Sequence, residues 1–504
     1  MKKWLHSATA IALVLGVGPA LAGKSDNTLN VAFTVEPTTM DTYHETTREG
    51  NILARLLYDG LIEKDQETGE FVPSIASSFT VVDDKTLDFE IRDDVRFHNG
   101  ELLTADDVVY TLNLVSSPDY GARYQIAVSW IDRVEKTGDN SVRIHMKRPY
   151  PLALEMLAGN LPVYPEAYYE QVGPDGMANA PIGAGPFRLV DSTPGSRYVF
   201  ERFDDYYSGS PKGQPQVARI VARILPEMNT QYAELLSGGL DWAWRVPPDD
   251  AERLNGQGGL QTSGTEILRF AFAQMNPNVD GGDSPLKDVR VRQAISHAVN
   301  REAIRAAFVG GSSQVAHAPC SHLQFGCTYD VTRYDFDAEA AKRLLAEAGY
   351  PDGFATSITI AATPREQVEA IAANLEAIGI RATLNFQQYA PALTAWRAGE
   401  VPILIGNWGS YGVSDVGLSI SPYFSGTEDD MWRNPEVMQL LAEADTSMDR
   451  ALRLANYEKA VRIITDEAYV LPLWTFNVFT ASSEDLEFTF SADEYARFYT
   501  ARWK

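Results

Sequence analysis

Apolar and polar positions alternate along Thr86–Ile91, where Leu87, Phe89 and Ile91 face polar neighbours, and again along Ser141–Met146. Period-two alternation predicts strands with one buried face. Thr28–Val35 predicts an earlier strand that Glu36-Pro37 stops. Phe97-His98-Asn99-Gly100 predicts a tight turn, and Thr104-Ala105-Asp106-Asp107 a capped helix start ahead of Val108, Val109, Leu112 and Leu114. After the break at Pro149-Tyr150-Pro151 and a short helix over 152–157, the pattern gives a strand from Pro181 to Asp191. A strand over 220–225 and a helix over 231–236 follow. Strand, helix, strand is the grammar of an α/β domain. Helical spacing returns at Val289, Ala294, Ile295, Ala298 and Val299, and in a helix over 338–348 capped by Asp337 and stopped by Gly349. Strands over 358–361, 381–386 and 402–408 then alternate with helices over 366–378 and 392–398, before a long helix over 451–468 and a strand over 470–476. The second α/β domain therefore spans about 270–480.

The N-terminus has its own pattern. Lys2 and Lys3 precede an apolar run from Trp4 to Val17 that ends in Ala20-Leu21-Ala22. This is a secretory signal, with cleavage expected after Ala22 and delivery to the periplasm; an uncleaved anchor is the competing reading. No cysteine follows the cleavage site, which disfavours a lipid anchor. Removing the signal leaves about 480 residues, beyond the size at which a single core keeps growing, so two or three domains are expected. The net charge of -25 keeps the chain soluble and disfavours nucleic acid or an anionic membrane as partner. It says nothing of the field inside a cleft.

Only two cysteines occur, Cys320 and Cys327, with Gly326 supplying turn freedom between them. In an oxidising compartment they can close a small loop. A metal pair with His317 or His322 competes, but no third sulfur exists to complete four ligands. A search for reacting groups finds no Gly-x-Ser-x-Gly elbow, no His-Glu-x-x-His helix and no phosphate loop, and the histidines at 44, 98, 145, 297, 317 and 322 are scattered. No catalytic residue, metal ligand or cofactor is assigned. What recurs is an aromatic residue at the expected mouth of a strand: Trp242 and Trp244 beside Arg245, and Trp408 followed by Gly409, Ser410 and Tyr411. Flat rings with polar rims suit a sugar face or a peptide side chain. Trp474 sits in a buried-looking strand and is read as core. Asp41, Thr42, Tyr43 and His44 follow the first strand, where α/β sheets bind ligands; the other reading is an ordinary strand-to-helix connection capped by Thr46 or Thr47.

Several stretches together carry a resemblance. Phe71-Val72-Pro73-Ser74-Ile75-Ala76 and Ile91 to Gly100 with Thr104 to Val108 are followed by Gly183-Ala184-Gly185-Pro186-Phe187, Asp288 to Ile295 and Tyr334-Asp335-Phe336-Asp337. In this order the chain resembles the bacterial extracellular solute-binding proteins of family 5, which include dipeptide- and oligopeptide-binding proteins of ABC importers. The resemblance implies an α/β, two-lobed periplasmic-binding-protein fold of the class II type with an extra small domain inserted in the first lobe. The expected division is 23–60, 185–270 and 485–504 for the first lobe, 61–184 for the inserted domain and 271–484 for the second lobe. It implies no catalysis, and a monomer serving two permease and two ATPase subunits.

One loop departs from the resemblance. Dipeptide binders of this family carry an acidic residue shortly after a Gly-Trp element to neutralise the ligand's ammonium, whereas here the loop reads Asn407-Trp408-Gly409-Ser410-Tyr411-Gly412-Val413-Ser414-Asp415. Asp41 or Asp415 would have to supply that charge from another direction. A peptide or peptide-like ligand is expected, with a sugar, oligosaccharide, opine, glutathione or nickel chelate as alternative, and an extracytoplasmic hydrolase as the other function class. The expected ligand contacts are Trp242, Trp244, Arg245, Trp408, Ser410, Tyr411 and Asp415, with Asp41, Tyr43 and His44 opposite. Closure is expected about crossings near 270 and 480. A disulfide between Cys320 and Cys327 is predicted to brace a loop at the cleft, with His322 and Gln324 as contacts; the other reading is that it protects a surface loop from proteolysis.

Overall fold

A computed structural model describes residues 23–159, 161–361, 363–409 and 412–504. The predicted signal therefore lies outside the described residues, as do Ser410 and Tyr411. Ten strands make the central sheet: β1 (Thr28–Phe33), β2 (Phe187–Thr193), β3 (Arg197–Arg202), β4 (Arg219–Ile224), β5 (Trp242–Trp244), β6 (Leu260–Met275), β7 (Ala355–Ile360), β8 (Arg381–Phe386), β9 (Ile403–Gly409) and β10 (Val470–Ser483). Their order is β8-β7-β9-β6-β10-β5-β1-β4-β3-β2. β1 runs parallel to β4 and β5, and β7 parallel to β8 and β9, so each end of the sheet has a parallel core. Helices Met228–Ser237 and Arg365–Glu376 make the β4-to-β5 and β7-to-β8 crossovers. All six residues of β1 are buried, as expected of a strand covered on both faces. β1 ends two residues before the pattern predicts.

β6 and β10 join the two ends. Leu260–Glu266 pairs with Ser483–Asn477 of β10, while Arg269–Met275 pairs with Gly409–Ile403 of β9. Between these stretches the β6–β10 register shifts at Glu266–Phe270 and again at Phe270–Phe272. Such irregularities bend a strand and re-aim its side chains. The apolar cores divide at the same place. Leu29, Val31, Phe33, Trp242 and Trp244 belong to one core, Ala273, Ile358, Ile405 and Trp474 to a second, and Phe270, Trp408, Tyr457 and Ile464 to a third.

Between β1 and β2 the chain builds a separate antiparallel sheet of Ala76–Asp83, Thr86–Ile91, Ser141–Met146 and Ile131–Lys136. Helix Ala105–Ser116 packs on it, with Thr104 and Asp107 forming the predicted capping box. The Phe97–Gly100 turn explains why two distant motifs occur together. The backbone N–H of His98 donates to Gly183 O (2.8 Å), Nδ1 accepts from Gly183 N–H (3.2 Å), and Nε2 donates to Gly185 O (3.0 Å). Gly183 and Gly185 press against the end of helix Arg48–Leu57: an added Cβ would lie 2.1 Å from Leu57 O at Gly183 and 2.4 Å from Leu57 C at Gly185. At the C-terminus, strands Leu486–Phe490 and Ala496–Trp503 form a hairpin on the first core. Among the described residues no helix is long and apolar enough to cross a membrane.

Candidate functional site

The connection from β1 to helix Arg48–Leu57 is wound around two carboxylates. Glu45 accepts hydrogen bonds from Thr38 Oγ1 (2.9 Å) and from the backbone N–H groups of Thr39 (3.0 Å), Thr46 (2.7 Å) and Thr47 (2.5 Å). Asp41, only 1% exposed, accepts from the hydroxyls of Tyr164 (2.8 Å) and Tyr169 (3.2 Å), and its Oδ2 lies 3.0 Å from His44 Nδ1. Tyr43 donates to Pro162 O (2.6 Å). Burial, followed by the Asp41 charge, pushes the phenols of Tyr43 and Tyr164 well above their ordinary range, so both remain donors. Thr47, one of the two expected caps, accepts from Gly50 N–H at 3.0 Å.

This connection forms one wall of a cavity of about 230 Å³. Arg48 and Arg55 come from the helix, Arg245 from the end of β5, Arg269 from the bend of β6, and Tyr495 from the turn of the C-terminal hairpin. Spacing by seven residues puts Arg48 and Arg55 on one helix face, two turns apart. Their guanidinium carbons lie 4.6 and 4.2 Å from the Tyr495 ring centroid, within cation–π range. Arg245 pairs with Glu49 at 3.0 Å, Arg269 with Glu494 at 3.1 Å, Arg55 with Glu63 at 3.6 Å, and Lys212 with the buried Asp59 at 2.7 Å. Lys212 Nζ also donates to Arg55 O and Tyr58 O, each at 2.9 Å. Burial works against the Arg48 charge, yet Tyr495, Glu494 and Asp493 hold its pKa above the ordinary arginine value.

Further cavities continue the space. The second shares Arg55 and Glu63 with the first and adds Lys64 and Glu155 on one side, with Leu268, Leu323, Gly412 and Ser414 on the other. A third shares Lys64, Glu155, Leu323 and Ser414 with the second. A fourth shares Pro151, Leu152 and Arg453 with the third, and sets Trp130 and Tyr150 against Leu418, Pro422 and Tyr457. Together they make a groove along the boundary between the two ends of the sheet. Lys64 Nζ reaches Ser414 Oγ across it at 3.5 Å.

Of the contacts expected from sequence, Tyr43 and Arg245 line the first cavity and Asp415 the third. Asp41 and His44 stand behind the wall, in the tyrosine network. Trp242 and Trp244 are 0% and 1% exposed, stacked 6.0 Å apart between Phe33 and the C-terminal hairpin. They are core residues because β5 lies inside the sheet and the hairpin covers its face. Trp408 is buried against Phe270. Asp415 is held by Arg453 at 2.7 Å and accepts from Gly417 N–H at 3.0 Å. Arg48, Arg55, Arg269 and Tyr495 were not expected; the i, i+7 arginine pair, with Asn51 on the same helix face, was the available signal.

Cys320 and Cys327 are joined by a disulfide, their Cα atoms 5.9 Å apart. The loop pairs with the far wall of the groove: Phe325 N–H donates to Ser414 O (2.8 Å) and Val416 N–H to Phe325 O (2.9 Å). Gln324 Nε2 donates to Asp415 O, His322 lies 3.4 Å from Glu266 of β6, and Leu323 lines the groove. Among the described residues no group of three or more His, Cys, Asp or Glu could hold a metal ion.

A family model described as bacterial extracellular solute-binding proteins, family 5 Middle, matches residues 70–430. The dipeptide-binding protein of Escherichia coli is 27% identical over 460 residues, covering 84% of each chain. The solved structure of HbpA2 from Haemophilus parasuis superposes with a TM-score of 0.85 at 25% identity, covering 95% of this chain and 100% of that one. The dipeptide-binding protein from Pseudoalteromonas sp. SM9913 in complex with Met-Leu shares the fold, with a TM-score of 0.76 at 23% identity over 95% of this chain and 100% of that one.

Proposed function

Because the chain belongs to the bacterial extracellular solute-binding proteins of family 5, we propose that it captures a peptide or peptide-like solute in the groove and delivers it to an ABC importer. The observation that carries this reading is the continuity of the groove. Cavities sharing residues run between Lys64, Glu155 and Tyr150 on one side and Leu323, Ser414 and Tyr457 on the other. A solute placed there touches both ends of the sheet. The bend of β6 at Glu266–Phe270 is the element about which the two ends rotate. The dipeptide-binding relatives support a peptide as the solute, and volumes of about 230 and 200 Å³ for the first two cavities suit a short one.

In this reading residues 61–184 are an inserted domain, 271–484 the second lobe, and the rest of the mature chain the first lobe. The protein acts in the periplasm as a monomer after cleavage following Ala22, serves two permease and two ATPase subunits, and transforms nothing. Purification from the native host, denaturation and mass spectrometry of the released solute test it. A series of short peptides is the expected result. A single sugar mass overturns the peptide reading, and turnover of the recovered solute by purified protein overturns the binding role.

A further inference from the structure

The groove is crossed at one point. Lys64 ends the strand Ile62–Lys64, opposite Phe71 of the strand Phe71–Pro73. Its Nζ lies 2.5 Å from Glu155 of helix Ala153–Leu157 and 5.6 Å from the centre of the Phe71 ring. The same Nζ donates to Ser414 Oγ on the far wall at 3.5 Å. Both ends of this contact are anchored. The side chains of Lys64 and Glu155 are only 19% and 15% exposed, and the Ser414 carbonyl accepts the Phe325 N–H of the disulfide loop at 2.8 Å. A peptide main chain lies about 4.8 Å from a neighbouring chain, the spacing of paired strands. Walls joined at 3.5 Å leave no such gap at this point. Moving Lys64 aside would draw it from a carboxylate that is mostly buried, which is unfavourable.

The chemistry of the groove changes at this crossing. Lys64 lines the second and third cavities but neither the first nor the fourth. On one side, the first two cavities hold about 230 and 200 Å³ and share the charged pair Arg55 and Glu63. On the other, the fourth cavity holds about 490 Å³, with Trp130 and Tyr150 stacked 5.7 Å apart and facing Leu418 and Pro422. Its charged side chains are already engaged or turned outward. Lys147 donates to Ser129 O at 2.9 Å, Asp445 accepts from Tyr457 and Ser421, Arg453 pairs with Asp415, and Arg148 is exposed. The larger compartment, with the aromatic walls, therefore lies behind Lys64.

We propose that Lys64 sets the length of the solute: a short one is confined to the first two cavities, and an extension past Lys64 requires that contact to open and carries an apolar or aromatic group that stacks on Tyr150. This rests on the groove being the solute site, and deepens that reading by naming what limits the solute. A stacked ring with an open face is suited to an aromatic side chain.

The test uses the full mature chain and alanine-based peptides of two to six residues, each carrying Phe or Ser at one end or the other. Titration calorimetry reads wild type, Lys64→Arg, Lys64→Ala and the double variant Lys64→Ala with Glu155→Gln, which leaves no buried carboxylate without its partner. The melting curve of each free protein is the control for folding. In wild type and K64R, affinity should fall at least tenfold between peptides of two or three residues and those of five or six. In K64A and in the double variant most of that fall should disappear, chiefly for peptides ending in Phe, and adding Tyr150→Ala should remove the Phe advantage. A merely structural Lys64 would shift melting without changing the dependence on length. Wild type binding long peptides as tightly as short ones overturns the inference, as does an unchanged fall in the folded double variant. An equal gain with Ser as with Phe overturns the aromatic assignment of the far compartment. If neither alanine variant folds, the length series on wild type and K64R decides. Binding of no peptide by any of these proteins overturns the peptide reading and the inference with it, whereas binding with one length dependence in all of them overturns the inference alone.

Discussion

Arg453 lies 2.7 Å from Asp415 in an ion pair whose side chains are 8% and 6% exposed. Arg453 belongs to helix Arg450–Asp466 and also donates to Ala444 O of helix Pro435–Thr446, so the pair fixes the groove loop to both helices. Burial pushes the Asp415 carboxyl upward, and Arg453 opposes that. Removing one partner of such a pair leaves a buried uncompensated charge, at a cost of about 3–5 kcal/mol. Arg453→Met should therefore lower unfolding free energy in urea by that amount, and the double variant with Asp415→Asn should recover most of it. Equal stability of R453M and wild type would show that the pair is not closed in solution.

His98 predicts an acid limb. Nδ1 accepts the Gly183 N–H, so protonation there destroys a hydrogen bond, and burial holds the imidazole pKa down to about 4. The unfolded value is about 6.5. A pKa depressed by folding gives stability that is complete above pH 6.5 and lost as pH falls toward 4, worth about 3 kcal/mol for this group. His317, also held at about 4 by burial, titrates in the same window. His98→Gln should therefore reduce, but not abolish, the slope of unfolding free energy against pH between 6.5 and 4. An unchanged slope would remove His98 from the account.

The disulfide closes a short loop that pairs with 414–416 along the groove. Loop-closure entropy for so small a ring gives roughly 2.5 kcal/mol. Replacing both cysteines by serine should lower stability by about that much relative to the oxidised protein, with the fold retained in circular dichroism. Identical urea midpoints for the two proteins would contradict this.

Trp408 packs on Phe270 in the third core. Trp408→Ala should cost about 3–5 kcal/mol of stability and change solute affinity by less than twofold, measured by calorimetry at a temperature where the variant is folded. A large affinity loss without a stability loss would return this ring to the site.

Much of the architecture is legible in local patterns. Asp337 accepts the Ala340 N–H and caps its helix as its position suggests, and the alternation over 86–91 and 141–146 pairs two neighbouring strands. The cavity was less legible for a physical reason. Trp242 and Trp244 resemble a binding face until the hairpin strand carrying Phe498, more than 250 residues later, closes over Trp242. Arg48, Arg269 and Tyr495 come together only through sheet order, which no local spacing encodes. Charge was hardest to read: whether Asp41 or Asp415 is free depends on Tyr164, Tyr169 and Arg453, all remote in sequence from their partners.

Tyr495 belongs to the turn between strands Leu486–Phe490 and Ala496–Trp503. A chain synthesised and exported from its N-terminus presents Arg48 and Arg55 long before the ring that lies between them arrives. Until then the two guanidinium groups have no face to rest on, and Trp242 lacks Phe488 and Phe498. The first cavity therefore acquires its last wall late in biogenesis, as one event with closure of the first core.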